Sequence, residues 1–78
     1  MKIVKVYKED CVPCKILSER LEEADIDHEP LEVDADIAAK HNLKTVPALL
    51  FLDDEGNEVG RLLGLVSIEQ VKRRLDDS

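Results

Sequence analysis

The apolar positions of this chain fall into short blocks whose period changes along the sequence, and each change marks an element. Ile3-Val4-Lys5-Val6-Tyr7 is rich in β-branched residues and predicts a first strand. Behind it, Cys14, Leu17, Leu21 and Ala24 recur at helical spacing. His28 to Val33 predicts a second strand, and Asp36 to His41 a short helix opened by an acidic cap. A strand, helix and strand in that order predict a parallel crossover. The run Ala48-Leu49-Leu50-Phe51-Leu52 is apolar at every position, as in a strand buried on both faces. Periodicity alone leaves a buried helix open there, and the run's shortness favours the strand.

Asp53-Asp54-Glu55 ends in Gly56-Asn57, which predicts a turn, and Glu58 to Leu63 then alternates Val59, Arg61 and Leu63. That segment should return antiparallel as the second half of a hairpin and stop at Gly64. Ser67 with Gln70 forms a capping box, Ile68, Val71 and Leu75 supply a buried stripe, and Lys72-Arg73-Arg74 suit the negative end of a last helix. The predicted order is β-α-β-α-β-β-α, an α/β fold.

Seventy-eight residues, 44% of them hydrophobic, suffice for one core, so residues 1–78 are expected to form a single domain that carries the whole function. A chain this small buries roughly 60 to 65% of its unfolded surface, and modest stability is expected without a staple, a metal or a partner. The formal charge of −7 disfavours nucleic acid, which is held mainly by Lys and Arg, and is read as a device for solubility. No window approaches the roughly 18 apolar residues of a membrane span, and Met1-Lys2-Ile3-Val4-Lys5 is too charged and brief for a secretory core. No membrane partner is expected, the expected compartment is the cytoplasm, and the expected state is a monomer.

The two cysteines are Cys11 and Cys14. A bond between them closes a loop too short to tie distant elements, worth about 2 kcal/mol at most by chain entropy. Secreted disulfide scaffolds carry more cysteines at wider spacing, so this pair is placed for chemistry. It sits where the first strand hands over to the first helix, and the free N–H groups and positive dipole end there favour a thiolate at Cys11. Pro13 suits a first helical turn, which has no use for its missing N–H, and stiffens the loop. On this reading Cys11 attacks a substrate disulfide and Cys14, one turn along, resolves the mixed disulfide. Lys8 and Lys15 favour the thiolate and Glu9 and Asp10 oppose it. The same spacing also serves zinc and copper sites. Structural zinc needs four ligands, and the remaining candidates, His28 and His41, lack the usual spacing and are read as solvated or locally bonded histidines. No metal and no cofactor are expected beyond a redox-active Cys11–Cys14 disulfide.

Strand, Cys11-Val12-Pro13-Cys14, helix, and then Thr45-Val46-Pro47 ahead of a buried strand resemble the thioredoxin superfamily over nearly the whole chain, without the extra N-terminal strand and helix of full-length thioredoxins. The resemblance implies a minimal thioredoxin fold, a four-stranded mixed sheet flanked by three helices. It further implies that Pro47 is cis and packs beside the dithiol, and that the backbone of Val46 pairs with a substrate segment. Gly64 would line the groove beside Cys11, with Val12, Pro13 and Leu65 completing an apolar rim. The Gly64-Leu65-Val66-Ser67 entry to the last helix is similar to thioredoxin, whereas Tyr7 and the small size lean toward glutaredoxin. No glycine pair and acidic residue follow Gly64 to hold glutathione.

Three departures stand out. Asp10 precedes the first cysteine where thioredoxins usually have tryptophan, and Val12 follows it where they have glycine. Lys5 aligns with the buried aspartate that assists the resolving cysteine in thioredoxins, and is read here as a strand residue whose ammonium reaches solvent. The implied function is reduction of disulfide-containing protein substrates, with ribonucleotide reductase as one natural class, and recharging by a thioredoxin-reductase-type enzyme in preference to glutathione. The rival reading is a CxxC metal-trafficking module for copper or zinc. Small copper chaperones use a β-α-β-β-α-β order, from which the predicted final helix, Pro13 and Pro47 point away. A redox-silent binding adaptor is the third.

Overall fold

The computed structural model describes residues 1–76, so the last two positions of the 1–78 unit lie outside the described residues. The elements are β1 (Lys2–Tyr7), α1 (Val12–Glu23), β2 (Glu29–Glu32), α2 (Ala35–Lys40), β3 (Ala48–Leu52), β4 (Glu58–Leu63) and α3 (Ile68–Asp76). They form one sheet in the order β2-β1-β3-β4. β1 pairs parallel with β2 and antiparallel with β3, and β3 pairs antiparallel with β4, which makes the sheet mixed. This is the predicted order.

Strand alternation divides the apolar residues between two layers. Ile3, Leu49 and Phe51 face one side and pack with Leu17 and Leu21 of α1, Val71 of α3 and Val66. Val4, Val6, Ala48 and Leu50 face the other and pack with Leu43, with Ala38 of α2, and with Leu31, Val33 and Val46. β3 is apolar at each position because both of its faces are covered, and its burial is complete from Ala48 to Phe51. β2 is an edge strand, which is why exposed Pro30 is tolerated within it.

Two sequence expectations shift, at α2 and α3, and β4 gains a defined inner face. α2 is opened by Asp34, whose Oδ1 accepts the N–H of Ile37 at 2.8 Å, so Asp36 lies inside the first turn and not at its start. β4 returns antiparallel as expected, and the structure defines its inner face: Leu62 packs into the core beneath α3, while Val59 and Leu63 are 55% and 51% exposed. A register shift between Phe51 and Leu52 helps to set that phase, and α2 is too short to cover the outer face. On that face Arg61 donates to the His41 and Asn42 carbonyls at the C-terminal end of α2, at 2.7 and 3.4 Å, and to Glu58. In α3 only Val71 of the predicted stripe is fully buried, with Ile68 and Leu75 packed at its edge.

The loops are closed by local bonding. α1 ends through Asp25, in the left-handed region at φ 56°, with the Ile26 N–H returning to the Leu21 carbonyl at 2.9 Å. α2 ends the same way through Asn42 at φ 53°, with the Leu43 N–H on the Ala38 carbonyl at 2.8 Å. Ser67 and Gln70 exchange capping bonds at 3.1 and 3.2 Å. No helix among the described residues is long and apolar enough to cross a membrane.

Candidate functional site

Cys11 caps the N-terminus of α1. Its backbone is extended at φ −120°, ψ 102°, and its sulfur accepts the N–H of Cys14 at 3.2 Å. Serine, threonine or aspartate usually supplies that acceptor, so a sulfur in the same place receives one of the N–H groups the helix cannot satisfy internally. The first turn of α1 contains no acidic residue to offset the positive dipole end, and Pro13 lies within it. Cys11 and Cys14 are joined as a disulfide across Cα atoms 5.2 Å apart.

The two sulfurs belong to different depressions. Cys11 lines a cleft of about 650 Å³ whose walls include Val12 and Pro13 on one side and Val46, Thr45 and Lys44 on the other. Cys14 lines a second depression, of about 340 Å³, with Lys5, Tyr7 and Ser18. Lys8 and Asp10 border both. Each cysteine is buried, Cys11 at 5% and Cys14 at 2% exposure, and the two depressions are the openings onto the pair. Val12 is 67% exposed and forms the apolar lip.

The fold brings Pro47 to this place by a separate route. The Val46–Pro47 peptide is cis, and the carbonyl of Pro47 accepts the N–H of Gly64 at 2.9 Å. Gly64 has φ +83°, a backbone shape that glycine adopts without strain, and a Cβ there would meet nothing within 4 Å. The glycine is therefore required by backbone conformation and not by crowding. Of the residues singled out in the sequence, Cys11, Val12, Pro13 and Val46 share the cleft, Pro47 is buried next to Val46, and Gly64 is tied to Pro47. Neither Gly64 nor Leu65, which is 40% exposed, lines the cleft itself.

Sequence reasoning missed the cleft's far wall, where Lys44 stands beside Val33, Ala38 and Leu43. These residues come from the β2 end, α2 and the loop after it, and their only signal was the parallel crossover that returns this stretch beside β1. Lys5 is corrected as well. It is 7% exposed, and its Nζ donates to Ser18 Oγ of α1 instead of reaching solvent. The His28 ring takes a local bond, with Nδ1 3.0 Å from the Ile26 carbonyl, and the backbone carbonyl of His41 accepts from Arg61. Among the described residues no three His, Cys, Asp or Glu side chains gather as a metal-holding group.

The whole sequence, residues 1–78, matches the family model described as a thioredoxin-like domain. The chain is 35% identical over 66 residues to the SPbeta prophage-derived thioredoxin-like protein YosR of Bacillus subtilis, with 82% of each chain covered. Among solved structures it aligns with thioredoxin 1 of Thermosipho africanus at a TM-score of 0.71 and 29% identity, covering 97% of this chain and 96% of that one. A Malassezia sympodialis thioredoxin aligns at a TM-score of 0.77 over 95% of this chain and 71% of that one, and at 16% identity it is a likeness of fold alone. A cysteine pair at the head of the first helix, on this sheet order and within a match that spans the sequence, makes the chain a member of the thioredoxin-like domain family, equipped for thiol–disulfide oxidoreduction.

Proposed function

We propose that the protein reduces disulfides in other proteins by dithiol–disulfide exchange, with Cys11 as nucleophile and Cys14 as resolving thiol. The observation that carries this reading is the position of Cys11, at the N-cap of α1, bonded to Cys14 and facing an open cleft. In the reduced protein the Cys11 thiolate attacks one sulfur of the substrate disulfide, forming a mixed disulfide and releasing the other substrate sulfur as a thiolate. Cys14, as a thiolate, then attacks Cys11 Sγ. The Cys11–Cys14 bond forms, the bond to substrate breaks, and two electrons have passed from the dithiol to the substrate. The N–H of Cys14 and the helix end stabilise charge at Cys11 in the first step.

Val12 and Pro13 on one wall and Val46 on the other are suited to an extended peptide, with the Val46 backbone as the edge to which a substrate strand adds. Pro47 and Gly64 hold that edge in place through their shared hydrogen bond, and Leu65 extends the apolar surface next to it. The second half of the cycle falls to a thioredoxin-reductase-type enzyme that restores the dithiol, in a cytoplasmic setting where the reduced form accumulates. Ribonucleotide reductase, which generates a disulfide as it turns over, is a suitable substrate class.

Two measurements on the reduced protein test the reading together. Its alkylation rate against pH should give a Cys11 pKa below the roughly 8.5 of a free cysteine. With dithiothreitol as reductant, it should also accelerate reduction of a protein disulfide such as that of insulin. A Cys11 pKa at or above the free value, with no acceleration, would contradict it.

A further inference from the structure

Lys5 breaks the pattern of its strand. Ile3, Lys5 and Tyr7 occupy alternate positions of β1, and this face packs toward α1, where Ile3 joins the core. An apolar residue belongs at position 5, paired as it is with Leu49. The chain has an amine there instead, and burial pushes it below its ordinary value while the Glu22 carboxylate of α1 pulls it back up. Its Nζ donates to Ser18 Oγ, and Ser18 Oγ donates to the Cys14 carbonyl at 3.0 Å. This relay anchors the charge in the wall of the depression that Cys14 lines and Cys11 does not.

We infer that Lys5 is a positioning residue for the resolving step, its ammonium favouring the thiolate of Cys14 in the mixed disulfide. The inference rests on the exchange reading above. Reduction of the substrate's first sulfur leaves Cys14 as a thiol, which must lose its proton before it can attack. That proton passes to solvent, Cys14 Sγ bonds to Cys11 Sγ, and the departing substrate thiolate takes up a proton from solvent. Lys5 keeps its own proton throughout and contributes field alone, which is screened less than at an exposed site because Lys5 and Cys14 are both buried.

Other charged groups face the same depression. Lys8 and Lys15 add positive charge at its rim, Glu9 and Asp10 subtract it, and all four are exposed. The half-buried phenol of Tyr7 completes the wall, with Lys5 Nζ 5.3 Å from its ring centre. These groups are common to the wild-type chain and to variants at position 5, so a comparison between them isolates Lys5.

The test is stopped-flow release of thionitrobenzoate when excess reduced protein meets 5,5′-dithiobis(2-nitrobenzoate). Attack by Cys11 releases the first equivalent and attack by Cys14 the second. In Lys5→Met and Lys5→Gln, the pH midpoint of the second phase should rise by about one unit. Its rate below the midpoint should fall about threefold, because a tenfold loss of thiolate is partly offset by a more basic nucleophile. Gln keeps hydrogen-bonding capacity toward Ser18 without the charge, so it should behave as Met does. A second-phase midpoint equal to the wild type in both variants, or one restored in Gln, would overturn the role of Lys5 and leave the exchange reading intact. Absence of the first phase in the wild-type protein would overturn both.

Discussion

Cys11→Ser is expected to abolish disulfide reduction, lowering the rate by at least about a thousandfold, the scale on which loss of a nucleophile is felt. Serine can cap α1 as cysteine does, so the fold should survive while the sulfur that forms the mixed disulfide is gone. Cys14→Ser should fail differently. Its Cys11 still attacks, and the protein then stops as a stable mixed disulfide, one substrate per chain, which denaturing electrophoresis without reductant or intact mass reads directly. Turnover of protein disulfides by Cys11→Ser at the wild-type rate would remove the assigned chemistry from this pair.

Lys5→Met should make the protein more stable while slowing its resolving step. Lys5 is buried with a neutral hydroxyl as hydrogen-bond partner, and a methionine of similar length fills the site without placing an ammonium among Leu49 and its neighbours. The expected gain is about 1 to 3 kcal/mol, read as a higher urea midpoint with unchanged slope. The pH dependence has a definite sign. The Lys5 amine has a folded-state pKa below its ordinary 10.5, so between the two values the unfolded chain binds more protons than the folded one. Wild-type stability should therefore rise with pH through that window, and the rise should be missing from Lys5→Met. A less stable variant, or an equal rise in both proteins, would contradict the account. A stability cost retained beside a reactive thiol is the usual mark of function opposing packing.

What the sequence revealed, and what it hid, follows from the range of the interactions involved. β1, the Cys11–Cys14 turn and α1 are local, and their spacing was enough to place a cysteine at a helix start. The two-sided burial of β3 was legible because alternation disappears when both faces are covered. The inner face of β4 was not legible because its alternation carries apolar residues on both faces, and only the position of α3 over Leu62 decides which face is inner. The far wall of the cleft was hidden because Lys44 and Leu43 reach Cys11 through the crossover, at a distance in sequence that no pattern encodes. Lys5 was misread because a lysine in a strand most often sends its ammonium to water, whereas here Ser18, thirteen positions away, holds it inside.

The most direct test of the central claim, that Cys11 and Cys14 form a reversible exchange couple, is a redox titration of the metal-free protein. Samples equilibrated in graded dithiothreitol buffers are quenched with an alkylating reagent, and the labels on Cys11 and Cys14 are counted by mass. The account predicts one reversible transition from no labels to two, at a strongly reducing potential suited to a protein disulfide reductase. Two labels at every poise, with no Cys11–Cys14 disulfide formed, would contradict it and turn attention to metal binding by the same pair.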